Sequence, residues 1–261
     1  MPELPEVETI VRSLAPNLAG RRIEAAAFPG PRALRGAPEP ALAGAEIESV
    51  RRHGKFIVVG TNAGLLVIHL GMTGKLLFDA VPGPYARAVF ALDGGHRLVY
   101  DDVRQFGCVE WHRSLPPRLA RLGPDPLALG EREFAAALRA RRSIVKTLLL
   151  DQTFLRGLGN IYTDEALFRA RIHPRTNTRR LSAARAGALY RAVREVLELA
   201  IAHRGSSISD YVDAAGERGG FQLLHLVYGR EGQPCKECGA TVRRVVVAQR
   251  GTHYCPVCQR H

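Results

Sequence analysis

Ser114-Leu115-Pro116-Pro117, running on to Gly123-Pro124-Asp125-Pro126, separates two stretches of different texture. Proline fixes its own φ and carries no N–H, so a segment this dense in it extends neither a helix nor a strand ladder. Residues 114–130 therefore read as a linker. On the N-terminal side, between Arg22 and Trp111, the chain breaks into short β-prone runs: Ile23 to Phe28, Ala45 to Val50, Phe56 to Gly60, Leu65 to Leu70, Ala88 to Leu92, His96 to Tyr100 and Gly107 to Trp111. Asn62-Ala63-Gly64 and Asp93-Gly94-Gly95 supply turns between several of them, which predicts an antiparallel sandwich or barrel. On the C-terminal side apolar residues recur at helical spacing over Glu131 to Arg141, Ile144 to Asp151, Tyr162 to Ala170 and Ser182 to His203, the last with Leu189, Val193, Val196, Leu197 and Ala200 on one face. That part is mainly α. Between two of its helices lies Leu155-Arg156-Gly157-Leu158-Gly159-Asn160-Ile161-Tyr162, a tight turn whose backbone N–H groups and Asn amide suit a phosphate, although a purely structural turn would look the same.

Near the C-terminus, Cys235-Lys236-Glu237-Cys238 is followed after sixteen residues by Cys255-Pro256-Val257-Cys258. Two knuckles at this spacing close a tetrahedral Zn²⁺ site, and four thiolates leave no open position, so one structural zinc is expected. Thr241 to Ala248 and Gln249 to Tyr254 predict a hairpin between the knuckles with Arg250 near its tip; a zinc ribbon of this kind can brace, bind protein or bind nucleic acid. Cys108, within a β run, reads as an inert core thiol.

The 261 residues carry 37 Lys plus Arg against 25 Asp plus Glu, a net charge of +12 that suits a partner with densely spaced negative charge, nucleic acid first among them. Only Lys55, Lys75, Lys146 and Lys236 are lysines, so arginine is the default cation and each lysine draws attention. Cysteines crowded at one end fit a metal site in a reducing compartment better than a disulfide framework. The longest apolar run, Leu65 to Leu70, is interrupted by His69, and the acidic start does not resemble a signal peptide; a cytoplasmic protein is expected.

The chain opens Met1-Pro2-Glu3-Leu4-Pro5-Glu6-Val7-Glu8-Thr9. Loss of Met1 would leave a secondary amine beside carboxylates. An α-amino group has a reference pKa of about 8 against about 10.4 for lysine, so far more of it is unprotonated at neutral pH. Attack by such an amine on a sugar carbon can collapse to an iminium, the electron sink of covalent amine catalysis. Val7, Ile10, Val11 and Leu14 follow at helical spacing, predicting a short amphipathic helix that ends before Pro16.

Met1 to Glu8, Arg52 to Lys55, His69-Leu70-Gly71-Met72-Thr73-Gly74, Asp101 to Gly107, Leu149-Leu150-Asp151-Gln152, Gly157 to Glu165, Val227-Tyr228-Gly229-Arg230 and the four cysteines with Gln249-Arg250 together resemble the formamidopyrimidine-DNA glycosylases, and more broadly the endonuclease VIII-like repair enzymes. The resemblance spans nearly the whole chain. It implies a bifunctional base-excision enzyme that flips out oxidised purines such as 8-oxoguanine and formamidopyrimidines, excises them, and cleaves the abasic strand by β,δ-elimination. The catalytic residues it implies are Pro2 as nucleophile, Glu3 as proton donor to the opening sugar, Lys55 as proton donor in β-elimination and Arg250 at the phosphate. For Arg250, charge stabilisation is physically easier than proton donation, because guanidinium does not give up its proton. Lys55 could otherwise be a solvated surface lysine.

Met72, Arg104 and Phe106 match the residues that fill the void left by the flipped nucleotide: an adaptable filler, a donor to the orphaned base and a flat wedge. Without the resemblance, Met72 and Phe106 would read as core. His69, Arg141, Lys146 and Asn160 complete the implied DNA-binding set with Tyr85, which stands where family members commonly place a histidine. Arg204-Gly205-Ser206-Ser207-Ile208-Ser209-Asp210-Tyr211, through Gly216 to Gly220, resembles the mobile loop that closes over the damaged base.

The expected fold is α+β. Residues 1–113 form an N-terminal two-layer antiparallel β-sandwich catalytic domain with a terminal helix, and 114–130 the linker. Residues 131–225 form a helical DNA-binding domain with a helix-two-turn-helix, and 226–261 a four-cysteine zinc finger. The expected partner is double-stranded DNA containing oxidised bases, met by a monomer without membrane or obligate protein partner, associated with the nucleoid through that DNA. Two competing readings are an endonuclease VIII-like glycosylase preferring oxidised pyrimidines and a non-catalytic zinc-ribbon DNA-binding protein.

Overall fold

Helix α1 (Leu4–Leu18) begins behind a capping box in which the Glu3 N–H donates to Glu6 Oε2 at 2.8 Å, with Pro5 in its first turn. It runs through Pro16 instead of ending before it. Pro16 lies in the last turn, where the bond it forfeits would go to the carbonyl of solvent-facing Arg12, and burial of Leu18 holds that turn in place. In the computed structural model, which describes residues 1–30, 32, 34–35, 42–208 and 210–260, the chain forms two compact units. One comprises Met1–Arg121 with Ile201–Gln222, the other Leu122–Ala200 with Leu223–His261.

In the first unit the strands are β1 (Ile23–Ala27), β2 (Leu34–Arg35), β3 (Ile47–His53), β4 (Phe56–Thr61), β5 (Gly64–His69), β6 (Lys75–Phe78), β7 (Ala86–Leu92), β8 (Arg97–Asp101) and β9 (Cys108–His112). They make two sheets, ordered β1-β7-β8-β6 and β2-β9-β5-β4-β3. Val7, Ile10 and Leu14 of α1 share one core with Ile57, Val59, Leu66 and Ile68 of the second sheet and Leu76, Phe90 and Tyr100 of the first, so the sandwich is two-layered as expected. Pairing is antiparallel except that β2 runs parallel to β9. Strand β6, four residues long behind the Gly71 to Gly74 turn, is too short to show a period in sequence.

The register fixes what matters for the site. Strands β5 and β9 end together at His69 and Cys108, while β6 and β8 meet at Lys75 and Asp101 in the other sheet. The two connections between the sheets, residues 70–74 and 102–107, therefore run side by side at one end of the sandwich. The proline-rich stretch is not bare chain: it carries helix α2 (Pro117–Ala120), whose Leu119 packs on Val58 and Val67.

The second unit holds α3 (Glu131–Ala140), α4 (Val145–Leu150), α5 (Asn160–Arg169), most of α6 (Ala183–Ala202), and the hairpin β10 (Arg243–Val247) and β11 (Arg250–Tyr254). Between α4 and α5, Gln152 clamps the glycine turn: its Oε1 accepts the Gly157 N–H at 2.8 Å and its Nε2 donates to the Leu158 carbonyl at 2.8 Å. The hairpin turns at Ala248 and Gln249, both left-handed with φ of 50° and 58°, the conformation of a two-residue turn matched to strand twist. Among the described residues no helix is long and apolar enough to cross a membrane.

Candidate functional site

Burial and charge concentrate at the N-terminus. Pro2 and Glu3 are buried, and the Glu6 carboxylate joins them to the loop after α6: Oε2 takes the Glu3 N–H, while Oε1 takes the Ser206 N–H at 2.7 Å. Gly205, at φ +77°, lies so close that a Cβ there would stand 2.7 Å from Glu6 Oε1, which explains a glycine at that position. Burial pulls the terminal amine of the intact chain below its ordinary value; Glu3 and Glu6 oppose this, and Lys55 and Arg104 reinforce it. Lys55 is not a solvated surface lysine, being only 9% exposed. Neighbouring Arg52 donates to Glu8 at 2.7 Å. Burial opposes ionisation of Glu8, but hydrogen bonds from Arg52 and Arg12 outweigh it and hold its carboxyl below the ordinary range.

The side-by-side crossovers bring Met72, Arg104 and Phe106 together. Arg104 Cζ sits 4.5 Å from the centroid of the Phe106 ring and its Nη1 is 3.7 Å from Met72 Sδ. Neither apolar member is core: Met72 is 45% and Phe106 54% exposed. Tyr85 is exposed beside them, its carbonyl accepting the Asp102 N–H at 3.0 Å and its ring 5.9 Å from the Arg87 guanidinium carbon.

His69 packs on Phe56 and its Nδ1 accepts the Gly71 N–H at 3.2 Å, so it braces the crossover as a neutral imidazole. Burial, aided by the charge of Lys55, lowers its pKa to about 4. The unfolded chain would protonate this group near pH 6.5, so its contribution to stability is complete above that value and is lost as pH falls toward 4. Between pH 6.5 and 5, wild-type protein should lose about 2 kcal/mol more stability than His69→Gln, which keeps the acceptor. Urea unfolding of both proteins at the two pH values measures it.

The loop after α6 is well tied within the first unit. The Ser207 hydroxyl donates to the Tyr211 carbonyl and accepts the Gly219 N–H, the Asp213 carboxylate accepts the N–H groups of Ala215 and Glu217, and Arg204 pairs with Asp213. Burial, with Glu6 nearby, raises the Tyr211 phenol well above its ordinary value and keeps it a donor. Ser209 lies outside the described residues.

In the second unit, Lys146 departs from expectation. It is 0% exposed, its Nζ donating to Asp164 Oδ1 at 2.6 Å, so it faces the interior and not a phosphate. Apolar neighbours on α4 and the paired carboxylate draw it inward. Asp164 Oδ2 accepts the His253 N–H at 2.8 Å, and Asn160 Nδ2 donates to the Gly251 carbonyl at 2.8 Å, so α5 grips the hairpin strand that starts with exposed Arg250. The Asn160 Oδ1 is buried without a hydrogen-bond partner. Arg141 is exposed at the end of α3. Glu165, fully buried, accepts N–H groups of Leu226, Val227 and Tyr228 and thereby fixes the segment entering the zinc module. Asp102, Asp164, Glu165 and the bridging role of Glu6 were not read from the sequence; only Glu6 carried a signal, three residues after the helix cap.

The cysteine sulfurs lie within 4.8 Å of one another, with Cys235 to Cys258 at 4.0 Å and Cys238 to Cys255 at 3.5 Å. Tetrahedral Zn–S bonds of about 2.3 Å place sulfurs about 3.8 Å apart, so this donor set fits zinc. Cys108 is buried, and burial with its contact to Glu110 pushes its thiol up to about 11, which leaves it inert at neutral pH.

Residues 1–109 match the formamidopyrimidine-DNA glycosylase N-terminal domain, residues 122–212 the formamidopyrimidine-DNA glycosylase H2TH domain, and residues 232–260 the zinc finger found in FPG and IleRS. Over the full length of both chains, this one is 55% identical to the formamidopyrimidine-DNA glycosylase of Solibacter usitatus. It belongs to the formamidopyrimidine-DNA glycosylase family. That is a family of DNA-repair glycosylases with abasic-site lyase activity. Its member from Laribacter hongkongensis is 43% identical over the full length of both chains. Among solved structures, the MutM (FPG) protein from Thermus thermophilus matches with a TM-score of 0.89 at 44% identity, covering 99% of this chain and 98% of that one. Lactococcus lactis Fpg, solved with DNA containing N7-benzyl-Fapy-dG, matches with a TM-score of 0.90 at 36% identity over all of both chains. The family's α+β architecture, with sandwich, helical region and zinc finger, is the one expected from the sequence.

Proposed function

We propose that this member excises oxidised purines, 8-oxoguanine and formamidopyrimidines, from double-stranded DNA through a covalent intermediate on Pro2, then cuts the abasic strand by β,δ-elimination. With Met1 removed, the Pro2 nitrogen attacks C1′, the glycosidic bond breaks toward the leaving base, and Glu3 protonates the ring oxygen as the sugar opens to the iminium. Lys55, buried beside the terminus, supplies a proton in the β-elimination that follows. Met72, Arg104 and Phe106 occupy the space of the flipped nucleotide, Tyr85 and His69 support the strand nearby, and Asn160, Arg141 and Arg250 take backbone phosphates. One zinc ion on Cys235, Cys238, Cys255 and Cys258 holds the hairpin bearing Arg250; its role is structural. Residues 1–113 act as the catalytic part together with the segment of residues 201–222, which folds with them, and the rest of 131–225 with 226–261 act as the DNA-gripping part, in a cytoplasmic monomer.

The observation that carries this reading is the buried Pro2–Glu3 start, held by the Glu6 carboxylate, with the charges of Glu3, Glu6, Lys55 and Arg104 acting on the terminal amine. It also disfavours a merely DNA-binding zinc ribbon, for which burying an amine among four charges would serve nothing. Matched duplexes carrying 8-oxoguanine or thymine glycol separate the purine-preferring from the pyrimidine-preferring reading. Excision of 8-oxoguanine should be faster by at least about 10-fold in kcat/KM; the reverse order refutes the purine assignment.

A further inference from the structure

We infer that Asp102 is the positioning residue for Met72, Arg104 and Phe106: its buried carboxylate locks together the two crossover loops that carry them, so that they meet the duplex as one rigid wedge. This rests on the void-filling role proposed for that cluster.

Asp102 is fully buried, and three donors converge on its carboxylate. Oδ1 accepts from Thr73 Oγ1 at 2.5 Å, and Oδ2 accepts from Tyr100 Oη at 3.1 Å and from the Gly107 N–H at 2.9 Å. All three are neutral. Thr73 immediately follows Met72 and Gly107 immediately follows Phe106, so one carboxylate pins both loops beside their exposed apolar tips. The third member is tied in through the same group, since Thr73 Oγ1 accepts the Arg104 N–H at 3.2 Å while donating to Asp102.

Two backbone features need this clamp. Gly71, at φ +59°, lies against the other loop so closely that a Cβ would stand 2.5 Å from Gly107 N and 2.6 Å from the Phe106 carbonyl carbon. Gln105, between Arg104 and Phe106, is left-handed at φ 54°, a conformation uncommon outside glycine that fixed flanks help to hold. An amide at position 102 substitutes only in part: Asn can keep its oxygen on Tyr100 and Gly107, but its NH₂ then faces Thr73 Oγ1, whose proton loses its acceptor on the charged carboxylate.

The consequence is for base flipping. An exposed Met and Phe on loose loops would collapse onto the protein surface and would have to be ordered at the moment of insertion, whereas a clamped pair loses little freedom on entering the stack.

The test compares Asp102→Asn, Thr73→Val and Phe106→Ala with wild type on two substrates: an 8-oxoguanine duplex, and single-stranded DNA with an abasic site, which has no stack to fill. For Asp102→Asn and Thr73→Val, duplex excision should fall roughly 10- to 100-fold, the range spanned by an unmet buried hydrogen bond. Single-stranded cleavage should stay within a factor of about three. Thr73→Ser should restore the duplex rate, and 2-aminopurine placed opposite the lesion should lose its fluorescence rise in the two impaired variants. An equal fall on both substrates overturns the inference, because Asp102 would then merely hold the fold together. Full duplex activity in Asp102→Asn and Thr73→Val, with Phe106→Ala impaired, also overturns it and leaves the wedge intact. Full duplex activity in Phe106→Ala overturns the wedge itself, and the inference with it.

Discussion

A chain carrying any extension ahead of Pro2, retained Met1 included, should form no borohydride-trapped adduct with lesion DNA and should lose excision by at least about 10³-fold. The reason is electronic. Within the chain the Pro2 nitrogen is a tertiary amide, its lone pair delocalised into the carbonyl; only as a terminus is it a secondary amine able to form the charged iminium that borohydride reduces. The surroundings make this amine usable. At the terminal amine of the intact chain burial favours the neutral form, Lys55 and Arg104 push the same way, and Glu3 and Glu6 partly offset them; Pro2, the next residue, is itself buried. Glu6 adds position, because its carboxylate holds the Glu3 backbone on one side and the Ser206 backbone on the other. The measurement pairs intact mass with trapping: protein lacking one methionine should trap, and an extended chain should trap only after a protease frees Pro2. Binding of a duplex bearing a tetrahydrofuran abasic analogue should survive the extension far better than excision does. Full activity with Met1 in place would overturn the assignment.

What could be read in advance follows a physical line. Strands and helices with clear periods were legible, as were the four cysteines, because two knuckles at fixed spacing admit few structures. The α1 boundary was missed since proline forbids a helix interior but not a last turn. Strand β6 and the parallel pairing of β2 were missed because elements of four and two residues carry no measurable period. Within the site, resemblance located Met72 and Phe106 on the surface where hydrophobicity alone would have buried them. Lys146 shows the opposite limit: a lysine in an arginine-rich chain invited a phosphate, yet its partner Asp164 lies eighteen residues away on the next helix, a pairing that only the packing of α4 on α5 creates. The same holds for Asp102, whose donors come from Thr73, Tyr100 and Gly107 and converge only once both sheets are formed.

Cys238→Ala should raise the Kd for a duplex with a tetrahydrofuran site by at least about 30-fold and abolish stoichiometric zinc. A two-stranded hairpin is marginal in water by itself, so β10 and β11 depend on what holds their ends. One end is gripped by α5: Asn160 bonds the Gly251 carbonyl and Asp164 the His253 N–H. The other depends on the metal, because the knuckle carrying Cys238 lies on a different segment from Cys255 and Cys258. Cys238 is the exposed member of the set, so its removal takes one ligand while disturbing little packing. The first unit contains none of these residues and should keep its near-ultraviolet signal, which separates loss of the hairpin from loss of the fold. Arg250→Ala then distinguishes the scaffold from its tip: it should keep one zinc per chain and lose part of the affinity, with a shallower dependence on salt as one phosphate contact disappears. Unchanged affinity in Cys238→Ala, with zinc gone, would remove the hairpin from the DNA interface.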